Sequence, residues 1–314
     1  MIGREKTIHV KVPGSSANLG PGFDSLGLAL PLYLSVRVKR ADRDSIKVYG
    51  DHLASLPLDS TNLIYQTMSY FYQKENQELP PVAIEIESEI PLSRGLGSSG
   101  AAIVAGLLAA NELMGSRKSK EEILQYATEL EGHADNVAAS LFGGLVVTAW
   151  DGKTAKAEHF PLTDQLQVLL AIPNYTLSTN TARKTIPETI PLRDAAFNIG
   201  HSTLLITYLL TGQYDKIPFA MKDRLHQPYR QTAVKGLERI VSEVDQNRLW
   251  GAALSGAGPT LILFIHPNQK RVAKEYMMQI AREEGVEFQL KFCSIENEGA
   301  KLEILWENER ISIQ

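Results

Sequence analysis

The densest run of residues able to do chemistry is Pro91-Leu92-Ser93-Arg94-Gly95-Leu96-Gly97-Ser98-Ser99-Gly100-Ala101. Its glycines permit positive φ and close backbone approach. Its serines supply hydroxyls. The small, apolar run that contains its end, AAIVAGLLAANELMG, reads as a helix buried on all sides. The first turn of a helix leaves amide N–H groups without partners, and the aligned peptide dipoles favour an anion there. Loop and helix head together read as a phosphate cradle. The alternative is a plain, tightly packed helix cap. No Gly-Lys-Ser/Thr closes the loop, so it is not a Walker A motif, and its spacing does not fit the dinucleotide fingerprint.

Other candidate groups lie in three further segments. Pro13 to Leu30 (PGSSANLGPGFDSLGLAL) holds a polar pair, Asn18 and Asp24, in a stretch of glycines and small residues. It is expected to be a loop that presents side chains to a ligand. Ala253 to Leu261 (ALSGAGPTL) is a second glycine-serine turn. Glu131 closes a charged helical segment, where a carboxylate opposes the helix dipole. That misfit suits a metal ligand, with an exposed glutamate as the alternative. His133, Asp135 and Asn136 follow within five residues. They reach a common pocket only if the chain enters a helix near Asp135.

These groups must be placed by strands and helices that are interleaved without a regular βαβ repeat, which implies an α+β fold. Strands are expected at Thr7 to Val12, Leu34 to Val38, Ser45 to Tyr49, Val82 to Ile86, Gly144 to Ala149, Leu166 to Ile172, Trp250 to Leu254 and Leu261 to Ile265. Val286 to Cys293 and Lys301 to Leu305 are expected to close the fold. Helices are expected over Leu63 to Tyr72, Lys120 to Glu131, Arg193 to Leu210, Tyr229 to Glu243 and Lys270 to Glu284, with a short one ending at Leu141. Asn62 precedes the first of them and suits either its N-cap or a ligand contact.

Composition narrows the class of function. The chain has 314 residues, 44% hydrophobic and 22% charged, as folded chains do. That length favours two domains or one large composite domain. Thirty-two basic against thirty-six acidic residues give a net charge of −4, which argues against a broad nucleic-acid footprint. The single cysteine, Cys293, can form neither an internal disulfide nor a thiolate zinc site, and reads as a core residue in a reducing compartment. No run approaches the ~18 apolar residues of a membrane helix, and the start of the sequence has no apolar leader core. A cytoplasmic protein is expected.

Taken in order, the three glycine-rich segments resemble the three motifs of the GHMP small-molecule kinases. The central one is similar to P-x3-G-L-G-S-S-A, with Gly100 where alanine is usual. Ser16 to Asp24, His133-Ala134-Asp135-Asn136-Val137 leading to Phe142-Gly143-Gly144, Ser178-Thr179 with Ala182-Arg183, and Asp223 to Arg230 (DRLHQPYR) add to the likeness, which runs from about Val10 to the end. The resemblance implies an ATP-binding N-terminal domain with a left-handed crossover (1–158) and a ferredoxin-like C-terminal domain (159–314). It implies Mg²⁺, a homodimer, and ATP-dependent phosphorylation of the L-homoserine hydroxyl to O-phospho-L-homoserine in threonine biosynthesis.

By the same resemblance, residues 91–101 and Asn62 bind ATP, and Ser99 (or its neighbour Ser98) and Glu131 hold the metal. Asn18, Asp24, His133, Asp135, Arg183 and Gly256 bind the substrate, with Arg230 or Arg224 as its second cation. Asn136 and Arg183 serve catalysis. Mevalonate kinases carry aspartate where Asn136 stands, and a carboxamide cannot accept the hydroxyl proton. Catalysis without a carboxylate base is therefore expected. Two other readings are a GHMP kinase acting on a different small molecule and a catalytically silent binding protein. The latter would ordinarily have lost the serine loop or the metal carboxylate.

Overall fold

The computed structural model describes residues 6–306. The first sheet begins with β1 (Lys6–Ala17) and β2 (Leu26–Arg40), an antiparallel pair whose register shifts between Pro13 and Gly14. The stretch expected as one loop, 13–30, is therefore mostly strand, and only residues 18–25 turn. The reason is burial: Ser15, Ser16, Ala17 and Leu26 to Leu30 are all inside, and strands covered on both faces lose the alternation that betrays them.

The chain continues through β3 (Ser45–Tyr49), α1 (Leu63–Lys74) and β4 (Val82–Ser88), with β3 parallel to β4. Next come α2 (Ser98–Met114), α3 (Lys120–Glu131), α4 (Asp135–Phe142), β5 (Leu145–Trp150) and β6 (Ala155–Phe160). The sheet order is β11-β1-β2-β4-β3, where β11 is Lys301–Trp306. Opposite β1, β2 pairs with β4 through Leu34 to Arg40 and with β5 through Leu26 to Leu28. α2 is buried as its sequence predicts, and Gly106 lets it close on α1: a Cβ there would lie 2.8 Å from that of Thr67.

The second sheet is antiparallel, in the order β10-β7-β9-β8. Its strands are β7 (Gln167–Pro173), β8 (Gly251–Leu254), β9 (Leu261–Ile265) and β10 (Phe288–Cys293). Between β7 and β8 run α5 (Thr179–Lys184), α6 (Leu192–Thr211), α7 (Ile217–Ala220), α8 (Gln227–Arg230) and α9 (Leu237–Glu243), and α10 (Lys270–Glu284) precedes β10. Residues of α9 and α10 cover this sheet with an apolar cluster of their own. The helix expected over 229–243 is broken. Val234 is extended (φ −123°, ψ 101°) and Gly236 turns the chain at φ +79° just ahead of α9, leaving α8, a single 3₁₀ turn and α9.

The sheets partition the chain between Phe160 and Gln167, so the division expected at 158/159 falls inside β6. β11 then carries the chain back to pair with β1. Cys293 is buried at the end of β10. Among the described residues no helix is long and apolar enough to cross a membrane.

Candidate active site

A cleft of about 440 Å³ opens where the first sheet and the head of α2 meet α5, α8 and the turn after β8. At one end is the head of α2. Gly97 occupies its N-cap position at φ +71° and offers no side-chain cap, so the first amides keep their hydrogens for a ligand. The loop before it is clamped from both sides. The Ser15 amide donates to the Leu96 carbonyl (3.1 Å), and the Thr260 amide reaches the Arg94 carbonyl (3.3 Å). The Ser255 hydroxyl donates to the Gly95 carbonyl at 2.6 Å, with Ser16 Oγ 2.8 Å from it. A Cβ on Gly95 would lie 2.3 Å from the Ser255 carbonyl oxygen, and one on Gly97 would lie 2.1 Å from Ser15 Oγ. Both positions accept only glycine. Arg94 lines the cleft edge and donates through Nε to the Tyr175 carbonyl.

Beside this helix head, Ser99 donates to Glu131 Oε2 at 2.9 Å. Glu131 ends α3, and Gly132 (φ +83°) turns the chain into the cleft. Burial pushes the Glu131 carboxyl above its ordinary range, against the pull of His133 and Ser99. A carboxylate penalised in this way gains when a dication lies next to it. The donor pair is all oxygen, as Mg²⁺ prefers, and the site fits that ion.

α4 begins at Asp135, as a common pocket requires. Asp135 accepts from the His133 imidazole (Nδ1 to Oδ1, 2.7 Å) and from the Asn136 amide at 2.8 Å. Burial opposes charge on His133, but the Asp135 hydrogen bond and the carboxylates of Asp135, Glu131 and Asp24 outweigh it, and the imidazole is more basic than usual. Asn136 donates through Nδ2 to Ser15 Oγ (3.0 Å), while the Ser15 hydroxyl donates to the Asn136 carbonyl.

Asp24 arrives from the 18–25 turn, held by its own amide donating to Asn18 Oδ1 at 3.0 Å. It pairs with Arg183 from α5. Burial first, and then the nearby Asp135 charge, raise the Asp24 carboxyl above its usual range, while Arg183 pulls it back. Asp24, His133 and Asp135 present ligand atoms within 4.8 Å of one another. Two carboxylates and an imidazole so arranged can receive a small cation or an ammonium group.

The opposite wall is Arg230, only 3% exposed. It donates to the carbonyls of Ala182 (3.3 Å) and Gly256 (3.1 Å), and Gly256 also accepts from Asn18 Nδ2 at 3.0 Å. Burial, and then Arg183, lower its pKa to about 10. Its third contact is His226 Nδ1 at 3.1 Å, while His226 Nε2 donates to the Gly20 carbonyl at 2.7 Å. That leaves His226 a neutral imidazole, consistent with burial lowering its basicity. Replacing it by alanine is expected to leave Arg230 underheld and to weaken binding of an anionic group at this end of the cleft about tenfold or more, since one hydrogen bond to a charged group is worth about 1.5–3 kcal/mol. Titration of the variant and the parent with a small carboxylate ligand would check it.

The structure thus brings together Asn18, Asp24, Ser98, Ser99, Glu131, His133, Asp135, Asn136, Arg183, Arg230 and Gly256 along one cleft. Gly100 and Ala101 do not reach it; they are buried within α2. Asn62 lines the far wall, but its oxygen caps α1 through the Ile64 amide (3.0 Å) and its amide donates to the Pro57 carbonyl. Arg224 stands apart, paired with Asp194 and 4.0 Å over the Phe197 ring, so Arg230 is the second arginine of the pocket.

Sequence reasoning passes over five further residues. Ser15 and Ser255 anchor the loop, Phe23 packs 5.3 Å from His226 with both guanidinium groups above it, and Asp223 ties Asn198 to the amides of Leu225, His226 and Gln227 at the entry to α8. The spacing of His226 and Arg230, one helical turn apart, is the available signal for that pair.

The profile of the GHMP kinases N terminal domain matches residues 62–144, and that of the GHMP kinases C terminal domain matches 205–280. A homoserine kinase of Desulfitobacterium hafniense is 39% identical over 295 residues, covering 93% of this chain and 99% of its own length. One from Solibacter usitatus is 40% identical, covering 94% and 96%. The crystal structure of a homoserine kinase from Cytophaga hutchinsonii superimposes with a TM-score of 0.83 at 25% identity, over 95% of this chain and 97% of that one.

Proposed function

Because this chain belongs to the homoserine kinases of the GHMP family, we propose that its cleft carries out their reaction: phosphoryl transfer from ATP to the side-chain hydroxyl of L-homoserine, giving O-phospho-L-homoserine and ADP for threonine biosynthesis. The observation that carries the assignment of roles is the polarity of the cleft. An uncapped helix head lies at one end, and a paired set of carboxylates and arginines lies at the other.

The amides at the start of α2 take the phosphates of ATP, and the clamped loop keeps them preorganised. Ser99 and Glu131 hold Mg²⁺, which when bound offsets phosphate charge. Homoserine is a zwitterion. Its ammonium group goes to Asp24 and Asp135, and its carboxylate to Arg183 and Arg230, which can bind it through parallel hydrogen bonds. In the empty pocket Arg183 and Asp24 satisfy each other; the zwitterion replaces one internal pair with two. His133 holds Asp135 in place. Asn136 lies between the two halves of the cleft, its amide fixed by Ser15. It cannot accept a proton, and the carboxylates beside it are already engaged, Asp135 by the His133 imidazole and Asp24 by Arg183. The hydroxyl proton therefore leaves late, toward the transferred phosphoryl group, with Arg183 and Asn136 stabilising the charge that develops.

ADP release measured with Mg·ATP across L-homoserine, mevalonate and L-serine tests this reading. Homoserine should be turned over fastest. Serine, one methylene shorter, should fall about 10–100-fold in kcat/KM, and mevalonate, with no ammonium, should be barely used. Faster turnover of mevalonate overturns the assignment. The same reading makes the enzyme a cytoplasmic homodimer.

Asp24 also predicts a pH dependence. Its raised carboxyl takes up a proton at a higher pH than an ordinary aspartate, so the charge that receives the ammonium is lost earlier as pH falls. KM for homoserine should climb on the acid side, and Asp24→Asn should flatten that limb. The kcat profile should carry no ionisation that this substitution removes. Finding one would make Asp24 the base and end the base-free mechanism.

A further inference from the structure

Neither Asn198 nor Asp223 lines the cleft, yet both are sealed from water: Asn198 is 2% exposed and the Asp223 side chain 0%. Asn198 stands on α6, and its carboxamide is used in full. Nδ2 donates to the Pro21 carbonyl (3.0 Å) and to Asp223 Oδ1 (2.7 Å), while Oδ1 accepts from the Arg224 amide (2.9 Å). Asp223 accepts in addition from the amides of Leu225 (2.8 Å), His226 (3.2 Å) and Gln227 (2.7 Å). Among the described residues no lysine or arginine pairs with it, and the basic group beside it is the His226 imidazole. A buried carboxylate held this way is a costly means of joining two elements, since an apolar pair of similar volume often serves stability as well or better. Its fixed geometry is what an apolar contact would not supply.

That geometry joins the two ends of the acceptor pocket. The 18–25 turn, which carries Asp24, is pinned twice from the C-terminal half of the chain: Asn198 holds the Pro21 carbonyl, and His226 Nε2 holds that of Gly20. The turn rests directly on the same segment, for a Cβ on Gly20 would lie 2.4 Å from the Met221 carbonyl oxygen. On the other side, Asp223 fixes the His226 amide, and His226 holds Arg230 one helical turn on. Arg230 spends Nε and Nη1 on Ala182, Gly256 and His226. Its Nη2 is engaged by no described residue and is the nitrogen left for a ligand, so the direction it offers is set by those anchors.

We propose that Asn198 and Asp223 are positioning residues that set the spacing between the ammonium site at Asp24 and the carboxylate site at Arg230, and with it the preference for a ligand that carries both groups on one carbon. The proposal deepens the assignment of these two ends made above and rests on it. Two contacts made by one small ligand reinforce each other only where the sites already stand at the ligand's own spacing. With the Asn198–Asp223 link cut, Asp24 and Arg230 each still bind their own group. Engaging one then no longer delivers the other.

NMR titrations without nucleotide test it on three ligands: L-homoserine, 3-aminopropan-1-ol, which lacks the carboxylate, and 4-hydroxybutyrate, which lacks the ammonium. Asn198→Ala should weaken L-homoserine about tenfold or more and each single-ended ligand less than about threefold, because only the two-ended ligand depends on the spacing. Leu263→Ala, a core truncation in β9, should lose stability and leave all three dissociation constants unchanged. Should Asn198→Ala misfold, Asp223→Asn, which keeps the volume, carries the same expectation. Equal weakening of all three ligands, or unchanged binding of L-homoserine, overturns the proposal. So does misfolding of both variants, which would make the pair a prop for the fold alone. A parent chain that binds L-homoserine no more tightly than the single-ended ligands overturns the two-ended reading itself, and the proposal with it.

Discussion

Gly95→Ala is expected to lower kcat/KM for ATP by about 100–1,000-fold, a misplacement of the phosphate loop by even 1 Å being worth about 100-fold. The added Cβ would lie 2.3 Å from the Ser255 carbonyl oxygen and 2.8 Å from both the amide nitrogen and the carbonyl oxygen of Gly258. These are backbone atoms, so no side chain can swing aside. The residue must also hold φ +73°, which costs a residue with a Cβ about 1–2 kcal/mol. Together the two effects should remove about 3 kcal/mol of stability, and the loop can recover only by leaving the position that aims the amides of α2 into the cleft. Gly115→Ala is the control. Gly115 shares the positive φ (+73°), but open space surrounds it. It should lose about 1 kcal/mol in a melting experiment and keep its KM for ATP. If Gly95→Ala behaves like this control, the clamp is not what organises the nucleotide end.

Arg183→Ala should lower kcat/KM for homoserine by about 1,000-fold or more, because it strips a charge partner from Asp24 and, on the proposed roles, from the substrate carboxylate. The loss should appear in both KM and kcat, since the proposed role of Arg183 is to bind the substrate and also to stabilise the developing charge. KM for ATP should move less than about threefold. Arg183→Lys keeps the charge but not the planar fork, and should recover only part of the loss. Steady-state kinetics with each substrate varied would check all three statements. A loss smaller than tenfold would place Arg183 outside the reacting centre.

Much of the nucleotide end is legible in the order of residues alone. Residues 91–101 and the apolar helix they enter are contiguous, so local chemistry carries the expectation of an uncapped helix head. The short spacing of His133, Asp135 and Asn136 sets the condition that a helix begin near Asp135, and α4 meets it. The expected loop at 13–30 and the expected long helix at 229–243 both fail where the fold overrides local pattern. Strands covered on both faces hide their period, and Gly236 interrupts a run that otherwise reads as helical.

The sequence by itself determined the inventory: the glycines that free the loop, the serines and carboxylates beside it, and the helical turns that put near neighbours on one face. Only the tertiary structure decided the pairings. Arg183 finds Asp24 across 159 positions, Ser255 finds Gly95 across 160, and Asn18 reaches the Gly256 carbonyl across 238. It also decided that Arg230, and not Arg224, faces the cleft. The reason is physical: helical and strand periodicity relate residues only a few positions apart, whereas contacts over such separations are set by how two sheets and their helices bury their apolar faces against one another.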